Sequence, residues 1–378
     1  TQNWGIAQDK NGLMYFANND GVLRFDGINW DLIPVFRSSP VRSIAIDGDD
    51  NIYVGLMNDF GVLEQTPSGI LEYKSFRSLL PSDFGDFDDV WKIYQINENI
   101  FFQSYDYVFV LKNRQIRIIR PEKRFQFSFK VKERLFLHEP GVGLFEYINE
   151  TVHKVPWANE LANEEIWSVL DLNGNHLLIV TNTNGIYKFE NGLLQKWNTP
   201  VCEFLENFKL LSSAKIGNNY YAFGTILNGV VISDSEGNVV QHINKNRGLQ
   251  NNTVLSIFSD SSSNLWLGLD NGIDFVEINS PVSFISDKDG LGTGYCARVF
   301  NGKLYLGTNQ GLFVKSFNNF SANIENFELV SHSAGQVWSL GVFDDKLICG
   351  HHLGTFEIIG NEAKQLGKNN GGWIYIQP

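Results

Sequence analysis

The chain of 378 residues carries 42 acidic and 30 basic side chains, a formal net charge of −12 at pH 7, and no stripe rich in lysine and arginine. Nucleic-acid binding by this region is therefore not expected, because a phosphate backbone needs a basic surface. Hydrophobic residues make up 43% and charged residues 19%, which is the composition of a globular chain and not of a disordered one.

Short apolar segments bounded by Gly, Asn and Asp recur along the chain as a degenerate repeat. In chain order, modules begin near residues 4, 41, 90, 125, 166, 210, 254, 295 and 337, and a partial module begins near residue 372. Each module is about 40 residues long, which matches four strands of five or six residues joined by short turns. The clearest module openings are Trp4-Gly5-Ile6-Ala7, Val41-Arg42-Ser43-Ile44, Val90-Trp91-Lys92-Ile93, Ile166-Trp167-Ser168-Val169, Val254-Leu255-Ser256-Ile257 and Val337-Trp338-Ser339-Leu340.

The module from Val254 to Ile273 shows which residue types form the strands and turns of the repeat. An apolar-x-Ser-Ile strand leads through a polar turn to a second strand that ends in Leu-Trp-Leu-Gly, and Asn-Gly-Ile opens a third strand. Asn-Gly pairs supply the positive φ of tight hairpins. A Gly at the end of the second strand, such as Gly268, indicates a bend or a close approach between backbones.

This pattern predicts an all-β fold, a β-propeller of four-stranded antiparallel blades that occupies residues 1–378 as one repeat array. About nine modules correspond to one ring of seven or more blades plus part of a second. Helical periodicity is scarce, and only Glu160 to Ser168 is expected to hold a helical turn. A solenoid of the same period is the competing architecture, but the modules lack the strictly spaced residues that solenoid stacking requires.

The sequence holds no recognisable catalytic or metal-binding motif. Its seven His residues are scattered, and the adjacent pair His351 and His352 points to opposite faces of a strand. The three cysteines, Cys202, Cys296 and Cys349, lie far apart and have neither metal-ligand nor disulfide spacing. No catalytic residue, metal site or cofactor is therefore predicted, and the region is interpreted as non-enzymatic.

Two acidic clusters have simple interpretations. Asp47 to Asp50 occupies the turn that every module contains, where Asp and Asn serve backbone geometry, and calcium binding is the alternative. Asp83 to Asp89 lies in an insertion before the third module. We interpret this insertion as a rim loop, with an ion or ligand contact as the alternative.

Large side chains recur at the second position of a module's first strand. These are Trp4, Arg42, Trp91, Trp167 and Trp338. In a propeller this strand lines the central channel and begins near its mouth. Aromatic rings there could stack on sugar faces, and Arg42 or Arg298 could bind a carboxylate or sulfate. These six residues form the candidate ligand-binding site, and packing of the rings between blades is the alternative.

The unit resembles the two-component regulator propeller repeat, whose pattern is apolar-x-Ser-Ile, Asp-x-x-Gly-Asn-[Leu/Ile]-Trp-[Ile/Leu]-Gly-Thr and x-x-Gly-Leu. Similar copies run from Leu255 to Ile273 and from Val299 to Phe313. They depart from the pattern at Ser263, at Leu269 and at Asn301, which stand at Gly, Thr and Asp positions. The opening segment, Trp4 to Trp30, is similar to the first propeller module of Bacteroidetes sensor-regulators.

That resemblance implies a function and a place in the cell. The family's proteins carry an envelope-facing propeller region, a membrane-proximal β-sandwich and a signalling output. By this resemblance the chain is a non-catalytic, periplasmic sensing region of a signal-transduction or transcriptional regulator, and its ligand is a small molecule or oligosaccharide. The resemblance also implies an output domain that is absent from this chain, and it leaves a homodimer open.

Two other functions stay open, because propellers host unrelated activities. One is a protein–protein interaction scaffold. The other is a carbohydrate-active enzyme, a lyase or glycosidase; a glycosidase would need two carboxylates at a set separation.

Overall fold

A computed structural model describes residues 1–35, 39–172, 176–278, 280, 285, 290–317, 327–368 and 371–372. Strands account for 55% of the structure and helices for 5%, which confirms the all-β prediction. The chain divides into two compact units, one formed by Thr1–Val239 with Ile243–Asn279 and the other by Val240–His242 with Ser280–Pro378. Within the described ranges, no helix is both long and apolar enough to span a bilayer.

Seven antiparallel sheets follow one another from residue 3 to residue 276 and are called blades 1 to 7. In each, the strands pair in sequence order. Blade 1 consists of β1 (Asn3–Gln8), β2 (Met14–Asn18), β3 (Gly21–Phe25) and β4 (Trp30–Ile33). Blade 2 consists of β5 (Ser43–Ile46), β6 (Ile52–Leu56), β7 (Asp59–Gln65) and β8 (Leu71–Ser75). Blade 3 consists of β9 (Val90–Ile96), β10 (Asn99–Ser104), β11 (Val108–Lys112) and β12 (Gln115–Ile119).

The remaining blades of this series repeat the meander. Blade 4 consists of β13 (Ser128–Val131), β14 (Arg134–Glu139), β15 (Gly143–Ile148) and β16 (Thr151–Lys154). Blade 5 consists of β17 (Ile166–Asp171), β18 (Leu177–Thr181), β19 (Ile186–Glu190) and β20 (Leu193–Lys196). Blade 6 consists of β21 (Leu210–Ile216), β22 (Tyr220–Thr225), β23 (Val230–Asp234) and β24 (Val239–Ile243). Blade 7 has three strands among the described residues, β25 (Val254–Ser259), β26 (Leu265–Leu269) and β27 (Ile273–Val276).

Blade 7 packs against blade 1 and closes a ring of seven. Strand β25 lies beside β1, and the Ser256 hydroxyl donates a hydrogen bond to the Asn3 carbonyl at 3.0 Å. Trp266 of β26 contacts Phe16 and Phe25 of blade 1, with ring centroids 5.7 and 5.8 Å apart. Because the last blade covers the free face of the first, the first unit is a closed seven-bladed propeller.

The Ser and Gly of the repeat join neighbouring blades. Ser43 of blade 2 pairs with Gly55, and its hydroxyl donates to the carbonyl of Val90, the first residue of blade 3, at 2.6 Å. A Cβ added to Gly55 would lie 2.3 Å from the Ser43 hydroxyl and 2.7 Å from the Val90 carbonyl oxygen. Only glycine leaves room for this contact, so the predicted close approach between backbones is confirmed.

The hydrophobic core lies between the blades. All residues of β2 and β6 are buried, because the second strand of a blade is covered on both faces. Between blades 2 and 3, Phe60 packs on Phe102 and Phe109 with ring centroids 4.6 and 4.7 Å apart. The aromatic-rich composition therefore fills the seams between sheets.

The helical turns in the described ranges are short and lie between blades. They are a 3₁₀ helix over Arg77–Leu79, another over Pro156–Leu161, α1 over Pro200–Leu205 and a 3₁₀ helix over Lys245–Arg247. The expected helical turn at Glu160 to Ser168 is therefore misplaced. Pro156 starts the turn earlier in the chain, and Ile166 is already paired with Thr181 as part of β17.

Two sheets of the second unit, blades 8 and 9, repeat the same design. Blade 8 consists of β28 (Gly294–Phe300), β29 (Lys303–Thr308), β30 (Leu312–Ser316) and β31 (Glu328–Leu329). Blade 9 consists of β32 (Val337–Phe343), β33 (Lys346–His351), β34 (Gly354–Ile359) and β35 (Glu362–Leu366). A Cβ on Gly350 would lie 2.3 Å from the Gly372 carbonyl oxygen, so Gly372 takes the place that Val90 takes beside Gly55. The rest of the predicted partial module, from Trp373 onward, lies outside the described residues.

Candidate functional site

The candidate residues of the first unit stand at a β-bulge that recurs from blade to blade. In blade 1, Asn3 pairs with Asn18 and Gly5 with Ala17, so Trp4 is an extra residue between two pairs. A bulge of this kind aims one side chain away from the regular pleat. The residues at the equivalent position of blades 1 to 7 are Trp4, Arg42, Trp91, Gln126, Trp167, Leu211 and Leu255.

Three of these residues meet although they belong to three different blades. The Arg42 guanidinium lies over the Trp4 ring at 5.0 Å and over the Trp91 ring at 5.4 Å. The two indoles also touch edge to face, with centroids 5.5 Å apart. Residues of blades 1 and 3 can touch across blade 2 only near the axis of the ring. The three side chains therefore lie at the mouth of the central channel, and each is half-buried.

Further aromatic rings continue this contact series. Trp91 packs on Tyr105 with centroids 5.9 Å apart, Tyr105 on Phe127 at 6.2 Å and Phe127 on Trp167 at 5.3 Å. We call Trp4, Trp91, Tyr105, Phe127 and Trp167 the aromatic arc. Its rings come from blades 1, 3, 4 and 5, and Leu211 and Leu255 stand at the bulges of blades 6 and 7, so the large side chains do not form a complete ring.

Arg42 is held by polar partners as well as by the rings. Its Nε donates to Asp89 Oδ1 at 3.2 Å, and its Nη1 donates to Asn19 Oδ1 at 3.4 Å. The same Asn19 oxygen accepts a hydrogen bond from Trp4 Nε1 at 3.1 Å. The Arg42 and Asp89 side chains are 20% and 16% exposed, so the pair is sheltered yet still accessible at the mouth. Asn19 and Asp89 thus fix the orientation of the cation between two indoles.

A second ion pair borders the middle of the arc. The Arg124 guanidinium stands 4.5 Å from the centroid of the Tyr105 ring and pairs with Asp88. The backbone N–H of Asp88 donates to Asp106 Oδ2 at 3.0 Å. Asp88 and Asp89 close the acidic insertion, so its last two carboxylates hold the two arginines of the mouth.

Two indole N–H groups of the arc lack an acceptor. Trp91 Nε1 and Trp167 Nε1 are both buried without a hydrogen-bond partner among the described residues. Trp4 Nε1, by contrast, is satisfied by Asn19. Buried indole N–H groups normally find a partner, so the arc carries two donors that the described part of the chain does not use.

The structure brings together four of the six predicted residues. Trp4, Arg42, Trp91 and Trp167 share the arc and its ion pair. The other two belong to the second unit, where Arg298 is exposed on β28 and Trp338 is half-buried at the bulge of β32.

Several residues of the mouth are absent from the sequence-based prediction. Phe127 follows Gln126, the bulge residue of blade 4, and is paired with His138. Tyr105, Asn19, Asp89 and Arg124 lie outside the first strands, and the repeat gives no signal for them.

The other acidic cluster is structural. Asp47 Oδ1 accepts the backbone N–H groups of Asp49 and Asn51, each at 2.9 Å, and Oδ2 accepts from Asn51 Nδ2 at 2.8 Å and Tyr53 OH at 3.0 Å. The interpretation as a turn that serves backbone geometry is confirmed. Over the described ranges, no group of three or more His, Cys, Asp and Glu side chains is placed to hold a metal ion.

The start of the acidic insertion is pinned to the rim of blade 2. Arg77 donates to the Asn58 carbonyl at 2.8 Å and to Asn58 Oδ1 at 2.6 Å, and its other nitrogen reaches Asp86 Oδ1 at 3.2 Å. Phe84 packs on Tyr107 with centroids 5.2 Å apart. These contacts confirm the rim-loop interpretation, and they position Asp88 and Asp89 at the mouth.

No family model matches the chain, and no curated protein matches its sequence. Solved structures with the same fold include the extracellular domain assigned to a hybrid two-component system of B. thetaiotaomicron, with a TM-score of 0.68 at 17% identity. The extracellular domain assigned to a one-component system of the same organism has a TM-score of 0.60 at 17% identity. Each match covers 97% of this chain and 52% of the other, so the chain spans about half the length of those domains.

Propeller enzymes share the fold as well. Virginiamycin B lyase from Staphylococcus aureus has a TM-score of 0.54 at 16% identity over 71% of this chain and 92% of its own. At such identities the likeness is one of fold. The predicted β-propeller is thereby confirmed, and the resemblance to propeller regions of Bacteroides sensor systems is confirmed at the level of structure.

Proposed function

We propose that the chain is a non-catalytic sensing region that binds an extracytoplasmic ligand at the mouth of the first propeller. The observation that carries this proposal is Arg42 held between the indoles of Trp4 and Trp91, at the bulge positions of three consecutive blades. The fold does not require large rings there, because Leu211 and Leu255 occupy the same position in blades 6 and 7.

The ligand that this chemistry suits is an oligosaccharide fragment. Indole and phenol rings bind the apolar faces of pyranose rings, and the unused Trp91 and Trp167 N–H groups, together with the Arg42–Asp89 pair, offer hydrogen bonds to hydroxyl groups. Likeness to extracellular domains of sensor systems supports an extracytoplasmic, periplasmic location and an output domain elsewhere in the regulator.

Titration of the whole chain with a panel of defined plant and bacterial oligosaccharides tests the proposal, with tryptophan fluorescence as the readout. We expect at least one member to change the fluorescence in a saturable way. Replacing Trp91 or Trp167 by Ala should weaken that binding about fivefold or more, because each ring contributes about 1 kcal/mol of stacking.

Trp266→Ala provides the matched control, because Trp266 lies at the seam of blades 7 and 1 and not at the mouth. It should lower the melting temperature and leave the Kd unchanged. Equal Kd values for wild type and Trp91→Ala, with a lower melting temperature for the variant, would show that the arc only packs blades together.

Two other functions are tested by the same protein. An interaction scaffold would bind a protein partner in a way that Trp91→Ala does not affect. The fold likeness to virginiamycin B lyase favours a lyase as the enzymatic alternative, and product formation from any oligosaccharide of the panel would establish it.

A further inference from the structure

Lys92 is the one cation beside the aromatic arc that has no anionic partner in the described part of the chain. It follows Trp91 on β9 and pairs with Gln103 of β10. Its ammonium lies 5.4 Å from the centroid of the Phe127 ring. Neither a carboxylate nor any other hydrogen-bond acceptor among the described residues reaches Nζ. By contrast, Arg42 and Arg124 are each neutralised by an aspartate.

The surroundings of Lys92 make this arrangement costly for the free protein. The residue is half-buried, and burial lowers the pKa of its ammonium with no charged neighbour to offset the effect. A ring face compensates a desolvated cation only in part. An uncompensated ammonium beside aromatic rings is therefore suited to an anionic group brought in by a ligand.

We propose that Lys92 is an anion-recognition residue of the mouth and that the ligand is an acidic saccharide, with one carboxylate or sulfate ester that pairs with the Lys92 ammonium. This inference rests on the proposed function, and it names the substrate class of that site. The sugar ring lies on the aromatic arc, and its anionic substituent points to Nζ. Neutral saccharides of the same shape gain only the stacking contact.

The test uses three probes on the full chain: methyl β-glucuronide, methyl β-glucoside and inorganic sulfate. Binding is measured by tryptophan fluorescence and by the shift in melting temperature for wild type, Lys92→Met, Lys92→Arg and Trp91→Ala. Lys74→Met is the matched control, because Lys74 is exposed on β8 and pairs with Glu64. The glucuronide and sulfate arms distinguish a carboxylate from a sulfate ester.

We expect wild type to bind the glucuronide at least tenfold more tightly than the glucoside. Lys92→Met should remove that preference and the sulfate response, while Lys92→Arg and Lys74→Met retain both within about threefold. A wild type that binds neither anion, or a Lys92→Met variant with unchanged anion affinity, would overturn the inference.

The two proposals fail in different ways. If Trp91→Ala weakens binding of glucoside and glucuronide alike while Lys92→Met changes neither, the stacking mouth stands and the anion site is refuted. If Lys92→Met loses sulfate while Trp91→Ala leaves glucuronide binding unchanged, the anion site stands and the stacking mouth is refuted.

Discussion

At the scale of single residues, the bulge position shows which side chains the propeller fold requires and which belong to the candidate binding site at the mouth. The bulge recurs from blade to blade, and Gln126, Leu211 and Leu255 show that the fold does not require a large aromatic ring at that position. The repeat pattern therefore pointed to the position. In blade 4 the position is occupied by Gln126, and Phe127 is the next residue of the strand.

Burial of His138 gives the free energy of unfolding a pH dependence that comes from this one residue. It is fully buried at the end of β14, Nδ1 lies 2.8 Å from Gln126 Oε1, and burial lowers its pKa from 6.5 to about 4. At pH values between about 4 and 6.5, His138 binds a proton in the unfolded chain and not in the folded chain. Stability is therefore lost as the pH falls from about 6.5 towards 4, by roughly 3 kcal/mol in full.

His138→Gln should remove this contribution. We expect the loss in unfolding free energy between pH 7 and pH 4.5, measured by denaturant titration, to be about 2 kcal/mol smaller in His138→Gln than in wild type. His153→Gln, a change at an exposed histidine, should follow wild type. Identical pH profiles for wild type and His138→Gln would mean that the pKa of His138 is the same in the folded and unfolded chains.

At the scale of strands and blades, the Ser and Gly of the repeat form the contacts between neighbouring blades. Ser212 repeats the Ser43 contact by donating to the Val254 carbonyl at 2.9 Å. Its partner Gly224 again leaves no room for a Cβ, which would lie 2.3 Å from the Ser212 hydroxyl. This pairing of Ser and Gly was predictable from the repeat, because the same contact recurs at three seams, through Ser43, Ser212 and Ser256. The loop residues of the mouth were not, because they depart from the repeat.

Trp266 tests the blade seam that closes the ring. Its indole packs on Phe16, Phe25 and Phe275, and Nε1 donates to Asp260 Oδ2 at 3.3 Å. Trp266→Ala removes these contacts and leaves a cavity, so we expect a loss of about 3 kcal/mol in unfolding free energy. Ile28→Ala, at a side chain that is 86% exposed, should cost less than about 0.5 kcal/mol. A similarly small effect at Trp266 would show that the seam does not depend on this ring.

At the scale of the whole molecule, closure of the first propeller joins residues about 250 positions apart in the chain, a link that local repeat spacing cannot reveal. Each module has the same local pattern, so the sequence allowed a ring of seven or more blades. The hydrogen bond from Ser256 to the Asn3 carbonyl settles the number at seven for the first unit. Closure also explains the mouth, since only a complete ring brings the bulges of blades 1, 2 and 3 close to one axis.

The most direct test of the account is a crystal structure of the chain grown with the oligosaccharide that binds most tightly in the titration. We expect density for a sugar ring in contact with an indole of the aromatic arc and within hydrogen-bonding distance of Arg42, with any acidic substituent beside Lys92. A sugar bound at the rim of blade 2 near Arg77 and Phe84, or on the outer strands, with the arc unoccupied at a saturating concentration, would contradict the account.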